Sequence, residues 1–219
     1  MNGELDALLA AGLKAMALPI AAVDQQRLLA FLSLLSEWNG AYNLTAVRDP
    51  VDMVPRHILD SLTVLPHLRG DRIVDVGSGP GLPGIPLAIA DAGRRYILVE
   101  SNGKKVRFLT HAVRRLGLAH VEVLHGRAEA ASLVCPADTV VARAVTDLAQ
   151  LCAYTRHLAS PEARLVAMKG PDVATELNGI PGDFALCEVV SVTVPGLDAV
   201  RRLAILQRAP EQGGVNDRR

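Results

Sequence analysis

The sequence predicts an α/β fold in which a seven-stranded, mostly parallel sheet ends in an antiparallel C-terminal hairpin and follows an N-terminal helical extension. Three observations carry this reading. Short apolar runs alternate with helical stretches from Arg72 onward, a glycine-rich loop follows the first run, and the texture ahead of Arg72 is helical throughout. Runs of five or six residues without strict alternation suit strands buried on both faces, and helices between them suit parallel pairing.

In the extension, Leu28, Phe31, Leu32, Leu35 and Trp38 recur at helical spacing, with Asp24 as an N-cap candidate and Asn39-Gly40 as a stop. A second helix is expected from Asp52 to Leu65, interrupted near its start by Pro55. The strands then follow as RIVDV, RYILVE, HVEVLH, DTVVA, ARLVAM, ALCEVVSVTV and RRLAILQ, in five strand–helix steps and a closing pair. Only PGLDAV joins the last two, too few residues for a crossover helix, so they pair as a hairpin at the end of the sheet. The expected division is a helical extension over 1–68, a sheet-bearing domain over 69–208 and a loose tail over 209–219.

Composition narrows the class. The chain has 219 residues, 23 Lys and Arg against 23 Asp and Glu, and 50% hydrophobic residues. That length buries enough surface to fold without a disulfide or metal. Charged residues at 21% with no net excess exclude extended disorder. Cys135, Cys152 and Cys187 are odd in number and widely spaced, which fits neither a disulfide framework nor paired zinc ligands. A reducing, cytoplasmic setting and no metal are expected. The N-terminus lacks a cationic start and a cleavage site, and no apolar stretch is long enough to span a bilayer. Zero net charge argues against indiscriminate nucleic-acid binding and leaves room for a local basic patch.

The densest chemistry lies in Asp75-Val76-Gly77-Ser78-Gly79-Pro80-Gly81-Leu82-Pro83-Gly84, directly after the first strand. Glycines there let the chain turn sharply and let a ligand approach backbone amides, and the next helix offers its N-terminal N–H groups to an anion. The second strand ends in Glu100, whose carboxylate suits both hydroxyls of a ribose. A nucleotide-containing cofactor fits both features. The stretch from Gly79 to Gly84 also satisfies the dinucleotide pattern G-x-G-x-x-G, but two residues late after the strand. A nicotinamide-dependent oxidoreductase is therefore one alternative. Read from the strand, Asp75-x-Gly77-x-Gly79-x-Gly81 resembles the first motif of S-adenosylmethionine-dependent methyltransferases. On that reading Ala128 and Glu129, beyond the third strand, meet the adenine edge.

Later residues restrict the chemistry. Methylation of an exocyclic amine usually comes with Asn or Asp before Pro-Pro and an aromatic after the fourth strand, where this chain has Ala142-Arg143-Ala144-Val145. Methylation at carbon 5 of a pyrimidine needs a cysteine nucleophile; Cys135 and Cys152 read as small core residues. A ring nitrogen such as guanine N7 needs neither a base nor a covalent intermediate. Arg143 follows the fourth strand at the carboxyl edge, where open α/β sheets bind ligands, and suits cofactor, guanine O6 or phosphate. Lys169 shares that edge and is expected to be solvated. After Glu100, Val106, Leu109, Val113 and Leu116 form an apolar stripe, with Lys104, Arg107, His111 and Arg114 opposite and Lys105 and Arg115 widening a cationic face.

Asn39 with Asn43-Leu44-Thr45, Arg56-His57-Ile58-Leu59-Asp60-Ser61, the stretch from Val74 to Leu87, Glu100-Ser101 with Lys104-Lys105, Arg143-Ala144 and Lys169-Gly170 occur in order. Together they resemble the bacterial small-subunit ribosomal RNA guanine-N7 methyltransferases, the glucose-inhibited division protein B family, over about residues 30–208. The resemblance implies a class I S-adenosylmethionine-dependent methyltransferase (Rossmann-like) fold. It also implies methyl transfer to N7 of one guanine, conventionally numbered 527, in the 530 loop of 16S rRNA, within the small ribosomal subunit or an assembly particle. A cytoplasmic monomer with no membrane contact is expected. The family's cofactor contacts fall on Gly77, Leu82, Ala128, Glu129 and Arg143; Asp75, Ser78, Gly79 and Glu100 complete the expected cofactor site. Pro80 and Leu82 depart from the Ala and Phe of many relatives. Arg143, His57 and Arg56 are the expected catalytic residues, with Asn39 near the same mouth and Trp38 and Tyr42 as stacking candidates for a flipped base. The other alternative is a non-catalytic ribosome assembly factor that binds S-adenosylmethionine.

Overall fold

The structure is a computed structural model and describes residues 2–209; the expected tail beyond Ala209 lies outside them. Two helices open the chain, α1 (Asn2–Ala15) and α2 (Ala22–Tyr42). Leu28, Phe31, Leu32 and Leu35 of the predicted stripe are buried along α2. Its ends differ from the expectation. Ala21 occupies the N-cap with no side-chain bond, and Asp24 lies inside the first turn, paired with Arg27 at 3.0 Å. The helix runs through Asn39-Gly40 to Asn43, which takes a left-handed φ of 50° that asparagine tolerates. Asn39 is no stop because its side chain serves the next loop: Oδ1 accepts from Thr45 N–H at 2.9 Å and Nδ2 donates to Val47 O at 3.3 Å.

A third helical stretch has three parts: α3 (Pro50–Met53), a π-helical segment (Val54–Leu59) and α4 (Asp60–Leu62). Asp49 caps it by accepting from Val51 N–H at 2.9 Å. Pro55 lacks the N–H that would bond one turn back, and the ladder widens from that point. In place of one α-helix to Leu65, the stretch ends at Leu62 and a 3₁₀ turn covers Leu65–His67.

All seven predicted strands are present: β1 (Arg72–Val76), β2 (Arg95–Glu100), β3 (Val121–His125), β4 (Ala137–Arg143), β5 (Ala159–Lys169), β6 (Phe184–Val192) and β7 (Arg201–Arg208). Their order is β3-β2-β1-β4-β5-β7-β6, with β7 antiparallel to both neighbours and inserted between β5 and β6. Helices α5 (Gly84–Ala90), α6 (Gly103–Arg115) and α7 (Leu148–Thr155) make three of the connections. The other two expected helices are 3₁₀ segments, Ala128–Ala130 and Pro171–Gly179. The β3–β4 link is short and ends in Pro136, which leaves no room for a long α-helix, and the β5–β6 link forms its 3₁₀ segment between Gly170 and Ile180.

Alternation along β1 divides the core. Ile73 joins a cluster with Phe31, Leu35, Leu98 and Phe108, whereas Val74 and Val76 join one with Leu151, Cys152 and Leu165. The extension thus covers one face of the sheet with α5 and α6, and α7 covers the other. Neighbouring strands β1 and β4 are reached by departures in opposite directions along the sheet, and the crevice at such a switch point is where ligands of open α/β sheets bind.

Candidate active site at the carboxyl edge of the sheet

The loop after β1 turns on positive φ at Gly77 (67°), Gly79 (58°) and Gly81 (91°). Ser78 fixes it from within, Oγ donating to Asp75 O at 2.8 Å, while the N–H groups of Gly77 and Ser78 donate to Val99 O at 2.9 and 3.1 Å. The buried Glu100 carboxylate accepts from Gly79 N–H at 2.8 Å and Asn102 N–H at 2.7 Å. It therefore ties the end of β2 to the loop, and each oxygen keeps lone pairs for a further donor. A Cβ on Gly79 would meet nothing nearer than 3.9 Å, where the Gly77 carbonyl oxygen and Lys105 Nζ stand. Gly79 is itself buried, so the loop leaves a Cβ-sized space there, and Gly77 is its exposed glycine.

Beneath it, Asp75 is 1% exposed. Its Oδ2 accepts from Gly84 N–H at 2.9 Å, and Oδ1 has no partner. Burial pushes its pKa up to about 7, against the lowering effect of the Gly84 and Ser78 hydrogen bonds. The sequence offered the amides at the start of the next helix to an anion. The Gly84 amide instead serves Asp75, and α5 is only seven residues long.

Beside the loop a cleft of about 350 Å³ opens between extension and sheet. Val145 links the two, since a Cβ on Gly77 would approach its side chain to 2.8 Å while its neighbour Ala144 lines the cleft. Arg56, His57 and Asp60 come from the third helical stretch, Arg143 from the end of β4, Met168 and Lys169 from the end of β5, and Arg201 from the start of β7. Asp60 is 2% exposed and stands between two guanidiniums. Oδ2 accepts from Arg143 Nη1 at 3.2 Å and Oδ1 from Arg201 Nε at 3.1 Å. Arg143 Nη1 also donates to Arg56 O at 3.1 Å. His57, 4% exposed, shares a 2.9 Å hydrogen bond with Thr45 Oγ1. Burial lowers its pKa to about 4, and the charges of Arg143 and Arg56 act in the same direction. The imidazole is neutral at physiological pH and accepts a proton reluctantly.

The three expected catalytic residues, Arg143, His57 and Arg56, thus meet in one cleft. Other expected residues land elsewhere. Leu82 is 2% exposed, and its side chain packs in the core cluster with Ile85 and Leu109. Ala128 and Glu129 lie on the 3₁₀ turn after β3, Ala128 half-buried and Glu129 exposed. Asn39 is buried and acts on the cleft through the loop carrying Thr45. Trp38 and Tyr42 stack on each other at 5.2 Å, Trp38 also faces His111 at 5.0 Å, and neither lines the cleft. Lys169 is not solvated: Nζ donates to Thr146 O at 2.5 Å and pairs with Glu176 at 2.7 Å, because the 3₁₀ segment after β5 folds back over it. Cys152 is a core residue, but Cys135 is exposed in the loop before β4. The sequence reading missed Arg201. Its only signal was Asp60, an acid in the apolar stretch Ile58-Leu59-Asp60-Ser61-Leu62 that calls for a cation somewhere in the fold.

A glycine cradle pinned by the acid at the next strand end, beside a guanidinium-lined cleft on a sheet whose only antiparallel strand is β7, defines a class I methyltransferase. Solved structures share this architecture. An O-methyltransferase from Bacillus cereus in complex with SAH aligns over 82% of this chain and 90% of its own at a TM-score of 0.57 and 15% identity. A tRNA methyltransferase from Aquifex aeolicus aligns over 68% of each chain, also at 0.57, with 14% identity. Closer relatives fix the family. The family described as rRNA small subunit methyltransferase G matches residues 24–205. The ribosomal RNA small subunit methyltransferase G of Pseudomonas paraeruginosa is 47% identical over 201 residues, 91% of this chain and 94% of that protein. That of Alteromonas mediterranea is 42% identical over 205 residues, 94% of this chain and 97% of its own. The chain belongs to the rRNA small subunit methyltransferase G family, whose enzymes methylate ribosomal RNA from S-adenosylmethionine. Family membership sets aside the nicotinamide reading of the glycine loop.

Proposed function

We propose that the protein transfers the methyl group of S-adenosylmethionine to N7 of one guanine in the 530 loop of 16S rRNA, acting in the cytoplasm as a monomer on the small subunit or an assembly particle. One observation carries the choice of a ring nitrogen: among the described residues, the cleft holds no poised base. His57 is neutral with a pKa near 4, and both oxygens of Asp60 face guanidiniums. An exocyclic amine or a hydroxyl loses a proton on methylation, whereas N7 presents a free lone pair and loses none. No helix among the described residues is long and apolar enough to cross a membrane.

The residues fit the cofactor. The exposed Gly77 and the space beside Gly79 would receive it, with Ser78 and the backbone at Leu82 shaping the turn over Asp75. Glu100 would offer its remaining lone pairs to ribose hydroxyls, and Ala128 and Glu129 would hold the adenine. When bound, the sulfonium supplies the electrophilic methyl: N7 forms the new C–N bond, the C–S bond breaks with its electrons to sulfur, and the positive charge passes to the base. Arg143, bridging cleft and loop through Ala144 and Val145, orients the target base. His57 and Arg56 form the facing wall. Positioning of this kind accounts for roughly 7–11 kcal/mol of a bimolecular barrier.

The test is transfer of labelled methyl to small subunits from a strain lacking the gene, with the labelled nucleoside identified by mass. Label in 7-methylguanosine at one site is expected. Label in another nucleoside, or none on subunits and free RNA alike, refutes the assignment.

A further inference from the structure

The cleft carries more positive charge than its own acids balance. Arg56, Arg143, Lys169 and Arg201 line it, and the carboxylates engaged with them are Asp60 and Glu176. Each carboxylate is already committed: Asp60 to Arg143 and Arg201, and Glu176 to Lys169 and to Leu148 N–H at 2.8 Å. Two positive charges remain. N7 transfer then moves the sulfonium's positive charge onto the base, so the methylated product stands in the cleft as a cation, because no proton leaves. Left alone, such a cleft repels its own product. The missing anion has to arrive with the substrate, and RNA carries one on every nucleotide.

Arg201 is built to receive it. Asp60 holds its Nε, and Nη1 makes a long 3.4 Å contact with Val200 O. Its second terminal nitrogen makes no hydrogen bond among the described residues, and the side chain is 31% exposed. A guanidinium fixed on one edge presents its other edge in the fork geometry that suits a phosphate. Asp60 sits on α4 and Arg201 on β7, so one buried carboxylate aligns guanidiniums from β4 and β7 toward one space.

We propose that Arg201 binds a phosphodiester of the RNA next to the target guanine, that Asp60 is the positioning residue for this contact, and that this phosphate is the counter-charge of the cationic product. The inference rests on the ribosomal RNA reading and deepens it. The experiment measures the KM for small subunits from the deletion strain against monovalent salt at fixed magnesium, together with S-adenosylmethionine affinity and thermal melting. In R201Q, KM is expected to rise roughly tenfold or more, the loss of a charge-assisted contact. The slope of log KM against log salt should flatten by about 0.7–0.9, one phosphate contact. Cofactor affinity should stay at the wild-type value. R201K should restore the slope but not all of the affinity, and R95Q, on the opposite edge of the sheet, should change neither. An R201Q enzyme with wild-type KM and slope overturns the proposal. If R201Q fails to fold, R201K decides: KM raised severalfold with slope retained supports the contact, and an unchanged KM refutes it. Absence of transfer by the wild-type enzyme would count against the function itself. The Arg201 contact would then be read from filter binding of unmethylated 16S rRNA, with the same expected change in slope.

Discussion

His57 and Asp75 titrate in opposite senses, and their effects on stability should cancel over one window of pH. The folded pKa of His57 is about 4, below the 6.5 of the free side chain, so the unfolded chain takes up a proton that the folded one refuses. Stability from this source is present above pH 6.5 and lost as pH falls toward 4, by about 3 kcal/mol. Asp75 is raised from 3.8 to about 7, so the folded chain keeps a proton that the unfolded one releases. Its contribution is present below pH 3.8 and lost as pH rises toward 7, by about 4 kcal/mol. Between pH 4 and 6.5 these two slopes oppose each other. Relative to wild type, His57→Gln should lose stability with rising pH there and Asp75→Asn with falling pH, each by about 3 kcal/mol across the window in denaturant titrations. Parallel profiles for all three proteins would contradict the assignment. The same His57→Gln enzyme separates wall from base. A wall residue leaves the pH–rate profile unchanged and activity within about tenfold, whereas loss of a general base costs about 10²–10⁴. Legibility at this scale followed distance along the chain. The cradle from Asp75 to Gly81 lies within one turn and was readable, as was Arg143 at a strand end. The Asp60–Arg201 pair spans 141 residues, and only the folded sheet brings it together.

Among the elements, the strands were the most legible because burial on both faces leaves nearly continuous apolar runs. The π-helical segment was not legible. Pro55 announced an interruption, but whether a proline ends, kinks or widens a helix depends on the surrounding contacts. Nor does a hairpin prediction say that β7, not β6, pairs with β5. The π-helical segment matters because it sets the register of Arg56 and His57 and leads directly into Asp60. Pro55→Ala returns the missing N–H and allows an ordinary i to i−4 ladder, which turns those side chains relative to β4 and β7. Steady-state kinetics should show kcat/KM for small subunits falling by up to about 100-fold, the cost of roughly an ångström of misplacement. Cofactor affinity should hold, because the glycine cradle lies on the other side of Val145. Equal losses in both would mean that the substitution disturbs the sheet as a whole.

At the scale of the molecule, the change of texture near residue 68 suggested two units, yet one apolar cluster runs across that boundary. Leu9, Leu13, Leu28 and Phe31 share it with Ile73, Leu98, Phe108 and Ile205. Sequence texture records local periodicity, whereas a core is defined by what packs together, so the sharing had no signature along the chain. The helices of the extension bury their apolar faces against one another and against the sheet, α5 and α6 in one shared cluster. The extension and sheet are therefore expected to melt in a single calorimetric transition. Deleting residues 1–20 tests this coupling, because α1 packs on the π-helical segment and Gly12 lies so close that a Cβ would come within 2.3 Å of the Leu59 side chain. Leu9 and Leu13 are 1% and 2% exposed. Losing two such side chains costs about 4–10 kcal/mol, comparable with the roughly 5–15 kcal/mol of a typical domain. The shortened chain should melt well below the full one, still in one step. Where it remains folded, its transfer to small subunits should fall further than its affinity for S-adenosylmethionine, because α1 backs the wall that carries His57 and not the glycine cradle. Two separate transitions in the full chain, or a shortened chain with unchanged melting, would show instead that the extension is an independent unit merely resting on the sheet.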